Sequence, residues 1–332
     1  ALWLVPGIGP RRIEKLVSNF ERVDDIFSCS STLISKICGL DALKSDEIKN
    51  ALNSDTFKRE LDLIENFGIK VLDILHSQYP TLLKQIYNPP PVLYIKGDID
   101  FNEGLPLAFV GSRKASYAGK NICRKLIKQL SSQYPGTVVI SGLALGIDSE
   151  AHTAAVDNGI KTIAVLANGL TDIYPASNRK LAERVSNQGA VITEFPMQTR
   201  PNATNFPLRN RIISGLSKGI IVVEAGERSG ATITAGYALE QNRELFALPG
   251  AADSRFHLGT NRLISLNEQI QVFNLYDETG TIAIEKKWIL SLGASYADRQ
   301  FLGSKFHIYS DFLIHINDEK AYHGMDFNAG FY

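Results

Sequence analysis

The chain has 332 residues, 44% of them hydrophobic and 21% charged, which allows a large core and excludes a disordered class. Lys+Arg and Asp+Glu both number 35, so the whole molecule offers no electrostatic footprint and any nucleic-acid site must be a local patch. The three cysteines, Cys29, Cys38 and Cys123, are too scattered for a disulfide framework or a metal site. No apolar run approaches the roughly 18 residues of a membrane span, and Ala1 to Pro6 is too short and uncharged for a secretion signal, so a cytoplasmic chain is expected.

In chain order, Val5-Pro6-Gly7-Ile8-Gly9-Pro10 gives a tight turn, and Arg11 to Phe20 reads as a helix with Ile13, Leu16 and Val17 on one face. The turn has the form of a helix-hairpin-helix, with Arg11, Arg12 and Lys15 beside it, although a small helical bundle would keep the same turn for packing alone. Helical patterns follow at Val23 to Phe27, Ser31 to Cys38 and Ser45 to Asn66, the last with Ile48, Leu52, Leu61 and Ile64 as core candidates. Residues 1–68 are expected to form a helical domain, residues 69–275 an α/β domain, and 276–332 an unassigned segment.

Ile69 to Asp73 reads as a first strand, Tyr79-Pro80 to Leu83 as a short helix, and Val92 to Ile95 as another strand after the stiff Asn88-Pro89-Pro90-Pro91. Buried strands are predicted at Leu107 to Val110, Val138 to Ser141, Thr162 to Leu166, Ala190 to Thr193, Gly219 to Glu224 and Glu244 to Leu248, with helices between most of them. Such alternation implies an α/β, doubly wound, mostly parallel sheet, which binds ligands beyond the carboxyl ends of its strands. Small and amide-bearing residues gather at those ends: Gly111-Ser112-Arg113, Gly142 to Asp148, Asn168-Gly169, Glu194-Phe195-Pro196, Arg228 to Thr232 and Pro249-Gly250.

The Gly142-to-Gly146 spacing is not the dinucleotide fingerprint, and no Walker-type Gly-Lys-Ser/Thr occurs, so no cofactor is expected. Asp148 and His152 could share a helix face and hydrogen bond, organising the loop instead of doing acid-base work. Glu194 and Glu224 end strands read as adjacent, where they either orient arginines or form an acid-base pair. In Asn205 to Ser217, Pro207 is expected to keep Phe206 out of helical geometry, so that Arg209, Asn210 and Arg211 fall at a helix start suited to phosphate. The ordinary alternative is that both arginines are solvated or salt-bridged.

Gly111-Ser112-Arg113, Ser141 to Asp148 with Ala151-His152, Tyr174-Pro175 with Asn178, Phe206 to Ser217, Ser229 to Thr234, and Pro249-Gly250 with Gly259-Thr260-Asn261 together resemble the DNA-processing protein A family, also called DprA or Smf. The resemblance implies a sterile-alpha-motif-like helical first domain and an extended Rossmann domain. It further implies a dimer that binds and protects incoming single-stranded DNA and helps load RecA recombinase during natural transformation, without catalysis. Carried over by motif, the DNA site comprises Gly111, Ser112 and Arg113, then Ser141 and Gly142, Gly169, Arg179, Arg209, Asn210 and Arg211, and Ser229 with Gly230. Arg179 stands where relatives can carry lysine, and Arg211 is the member expected to turn inward toward Glu194 or Glu224.

The resemblance stops near Leu275. Tyr276 to Tyr332 does not read as the winged helix that ends some relatives, and its aromatic and His content suggests a few strands or a poorly ordered tail without metal-ligand spacing. The rival is a Rossmann-type enzyme hydrolysing nucleotide N-glycosides through Glu194 and Glu224, but Pro249-Gly250-Ala251-Ala252 lacks the glycine pattern of such enzymes.

Overall fold

The computed structural model describes residues 1–266 and the strand segments 270–272, 287–291, 306–308 and 313–317. Its amino-terminal helices are α1 (Pro10–Ser18), α2 (Asp25–Ser28), α3 (Ser31–Cys38), α4 (Ala42–Lys49) and α5 (Asp55–Asn66). Helix α1 opens with Pro10 in its first turn, where the missing N–H costs no helical bond, and buries Ile13 and Leu16. The pattern read as one helix over Ser45 to Asn66 is broken. Residues Ala51–Asn53 form a tighter turn, and Ser54 caps α5 by accepting from the Phe57 amide at 3.2 Å. That reset leaves Ile48 fully buried, Ile64 partly buried, and Leu52 and Leu61 exposed.

A single sheet organises the rest. Its strands are β1 (Lys70–Asp73), β2 (Val92–Gly97), β3 (Leu105–Gly111), β4 (Thr137–Ser141), β5 (Lys161–Val165), β6 (Ala190–Thr193), β7 (Gly219–Glu224), β8 (Glu244–Ala247), β9 (Ile270–Val272), β10 (Lys287–Ser291), β11 (Phe306–Ile308) and β12 (Leu313–Asn317). Their order is β1-β2-β6-β5-β4-β3-β7-β8-β9-β10-β12-β11. From β6 to β9 every pairing is parallel, whereas β2 joins β6, and β10 joins β9, antiparallel. Side chains of His307 and His315, like all of Lys286 and His323, lie outside the described residues.

The helices are α6 (Thr81–Lys84), α7 (Tyr117–Gln133), α8 (Ile147–Asp157), α9 (Arg179–Gln188), α10 (Asn205–Gly215), α11 (Gly230–Glu240) and α12 (Leu258–Leu266). Alternation along β3 sends Ala108 and Val110 to one face, under Ile212, Ala231 and Ala235, and Leu107 and Phe109 to the other, under Cys123, Leu126 and Ala151. Both faces are therefore covered, which is why the central strands are nearly continuous runs of apolar residues. The result is an α/β, extended Rossmann-like, mostly parallel sheet with a helical amino-terminal unit. The chain winds outward from β3 to β6, then crosses back to β7, so the direction of winding switches between β3 and β7.

Candidate nucleic-acid interface

A cleft of about 830 Å³ opens at that switch point, walled by the turns after β3 and β7, the start of α11 and the first half of α10. It contains seven of the twelve expected residues: Gly111, Ser112, Arg113, Arg209, Asn210, Ser229 and Gly230. Ser112 is held by its amide donating to the Glu224 carbonyl at 2.7 Å, which turns the chain out of β3. Arg113 then projects, exposed, with its guanidinium 5.0 Å from the Phe206 ring. Tyr174, 47% exposed, lies 5.9 Å from the same ring, so a cation and two aromatics share one wall.

Helix α10 begins at Asn205, two residues before Pro207, which corrects the expectation that Phe206 stays outside it. Proline is tolerated there because first-turn amides have no carbonyl to meet. Arg209 and Arg211 consequently fall in the second turn and turn inward, 3% and 8% exposed. Arg209 Nη1 donates to the Gly142 carbonyl at 2.8 Å and also to the Val165 carbonyl, while Nε donates to Asn210 Oδ1 at 3.2 Å. Burial lowers Arg209 to about 10 against the counter-pull of Asp148. A Cβ at Gly142 would stand 2.5 Å from the guanidinium nitrogens, so glycine is required by this arginine. Arg211 donates to Glu194 at 2.5 Å within the core. Burial pushes the Glu194 carboxyl up, with Arg211 opposing.

The other expected residues lie elsewhere. Ser141 is buried and donates to the Phe109 carbonyl at 2.6 Å. Gly169 is buried in a turn where its amide donates to Thr199 O at 2.9 Å. Arg179 is exposed and pairs with Asp172 at 2.7 Å, outside the cleft lining. Ser229 caps α11, accepting from the Ala231 amide at 3.3 Å, and places that helix end at the cleft. Lys114 and Arg228 also line the cleft, although a lone cation beside a motif carries no distinguishing sequence signal.

Asp148 and His152 do not bond to each other. Asp148 accepts from the Gly142 amide at 3.2 Å, and His152 Nδ1 meets Thr162 Oγ1 at 2.8 Å. Thr162 gives its own proton to the Val139 carbonyl, so His152 is the donor in that contact. Burial pushes Asp148 up, opposed chiefly by Arg209, and takes His152 down to about 3. Among the described residues Glu224 orients no arginine: it accepts from the Ser116 amide at 3.0 Å and from the Ser116 hydroxyl at 2.5 Å. Nor is it next to Glu194, since β6 and β7 are separated by β5, β4 and β3, roughly 19 Å at ordinary strand spacing. An acid-base pair of these two is thereby excluded.

The family model described as DNA recombination-mediator protein A matches residues 70–277. The chain belongs to this family. Among DNA recombination-mediator A relatives, DNA processing protein DprA of Bacillus subtilis is 38% identical over 76% of this chain and 87% of its own length. Protein Smf of Synechocystis is 35% identical over 89% and 73%. Of solved structures, DNA processing protein A from Streptococcus pneumoniae has a TM-score of 0.72 at 34% identity, covering 81% of this chain and 92% of that one. DNA processing protein A from Helicobacter pylori, described for its single-stranded DNA binding mode, has a TM-score of 0.56 at 28% identity, covering 64% and 92%. Among the described residues no helix is long and apolar enough to cross a membrane.

Proposed function

We propose that this recombination-mediator A chain binds single-stranded DNA in the cleft, with phosphates on the Arg113 side and bases against Phe206 and Tyr174. The observation that carries this reading is the exposed Arg113 guanidinium stacked on Phe206 beside Tyr174, at the mouth of a cleft that also holds Lys114, Arg228 and the start of α11. Stacking surfaces next to cations favour a flexible strand, whose bases can turn outward, over a duplex that holds them inside. The single-stranded binding described for the Helicobacter pylori relative supports the same assignment. Arg209 contributes charge from the floor of the cleft, and the exposed Arg179 pair can open to a phosphate at little cost.

Within this reading the chain is a binder and not an enzyme. It acts as a cytoplasmic homodimer that protects incoming strands and helps RecA recombinase assemble on them during transformation, a role supported by the family's recombination-mediator description. The test is a gel-shift series with single- and double-stranded oligonucleotides of one length. Tighter binding of single strands, with weak sequence preference, is expected. Equal affinities would overturn the proposal, and release of free base from nucleoside monophosphates would replace it with the enzyme.

A further inference from the structure

Helix α7 leaves the cleft edge and has a second surface of its own. It spans 17 residues containing Lys120, Arg124, Lys125 and Lys128 and no Asp or Glu, in a molecule whose total charge is zero. The buried face carries Cys123, Leu126, Ile127 and Leu130. At 100° per residue the opposite face presents Tyr117, Asn121, Arg124, Lys125 and Lys128. Tyr117 is 80% exposed, a large aromatic in the first turn that no other part of the described residues covers. Arg124 is paired with Glu150 on α8, whereas Lys125 and Lys128 are exposed.

From these placements we infer that a single strand leaving the cleft continues along the outer face of α7, one base stacking on Tyr117 and its phosphates following Lys125 and Lys128. The inference rests on the single-strand reading above and extends it to residues outside the cleft. Continuity is provided by Lys114, which lines the cleft and lies three residues before Tyr117. Because β3 and β4 are parallel, α7 must run back from the carboxyl edge of the sheet to the opposite one. It therefore carries the basic face about 16 Å away from the cleft between Tyr117 and Lys128. An aromatic followed by cations, without an intervening acid on the helix, has the composition of a sequence-tolerant single-strand track.

The test compares oligothymidylates of about four and about sixteen nucleotides, spanning the site sizes such surfaces take. For Lys125→Gln/Lys128→Gln, affinity for the longer strand is expected to fall about tenfold at moderate salt, with the slope of log affinity against log salt reduced by about 1.4. Tyr117→Ala is expected to cost about tenfold on the longer strand without changing the slope. Neither variant should alter binding of the short strand or the melting temperature, whereas Arg113→Ala should weaken both lengths. Unchanged long-strand binding, or equal loss at both lengths, overturns the track. So does intact binding with a loss confined to RecA assembly, which would assign the face to a protein partner. A parent chain that binds neither length overturns the single-strand reading itself, a result distinct from a parent that binds both while the α7 variants match it.

Discussion

Arg209 donates from Nη1 to the carbonyl of Gly142 at 2.8 Å, tying the middle of α10 to the turn that follows β4. The same nitrogen reaches the Val165 carbonyl at the end of β5, so one side chain gathers two strand ends beneath the cleft. A cation in this position fixes the floor of the cleft.

Arg209→Ala is accordingly expected to destabilise the fold by about 3 kcal/mol, since charged hydrogen bonds to buried carbonyls are lost and Asp148 loses the cation that chiefly opposes its burial. A thermal melt checks this. A melting temperature equal to the parent's would show that the carbonyl contacts contribute little.

Arg113→Ala has the opposite signature. Its side chain is exposed and its contact is the Phe206 ring, so folding should be unchanged while single-strand affinity drops. The slope of log affinity against log salt should become shallower by about 0.7 for the lost phosphate contact. A titration at several salt concentrations reads this directly, and an intact slope would remove Arg113 from the site.

Arg211 and Glu194 form a buried pair, and breaking it differs from replacing it. Arg211→Met alone should cost about 3–5 kcal/mol, because Glu194 is left in the core without its cation. The double variant Arg211→Met/Glu194→Leu should recover most of that loss. Urea unfolding of the three proteins measures the effect, and a double variant no better than the single would show that the pair is not the origin.

Acid sensitivity should trace to His152. Burial holds it near 3 in the folded state against an ordinary value of 6.5. Below about pH 6.5 the unfolded chain takes up a proton that the folded chain refuses, so stability falls with decreasing pH by up to about 1.4 kcal/mol per unit until about pH 3. His152→Gln removes this contribution, and its stability should decline less steeply than the parent's across that window. Parallel curves from denaturant melts would indicate that His152 titrates normally.

Strand positions were legible in the sequence because buried parallel strands leave continuous apolar runs, and Gly219–Glu224 and Ala190–Thr193 match the expected bounds residue for residue. The order of the strands was not legible, since apolar runs carry no information about which neighbour they meet. Glu194 and Glu224, each at the end of such a run, therefore look adjacent in the sequence and are not. The cleft's glycine and serine turns could be read from their positions at strand ends. The inward rotation of Arg209 and Arg211 could not, because it depends on where α10 starts, and a proline permits a start on either side of itself.

The helical amino-terminal unit is tied to the segment that leads into the cleft. Trp3 Nε1 donates to the Glu194 carbonyl at 2.6 Å, and buried Glu60 accepts from the Met197 amide at 2.8 Å. Both anchors lie on the segment between β6 and α10, which runs on to Pro201, Ala203 and Phe206 at the cleft. A recombinant fragment begun at residue 70, where the family match starts, would drop both anchors and strip Trp3, Leu63, Ile64 and Ile69 from the apolar cluster that holds Tyr94 and Leu170. For anyone choosing boundaries for expression, a piece that keeps both anchors starts before the stretch the family model matches.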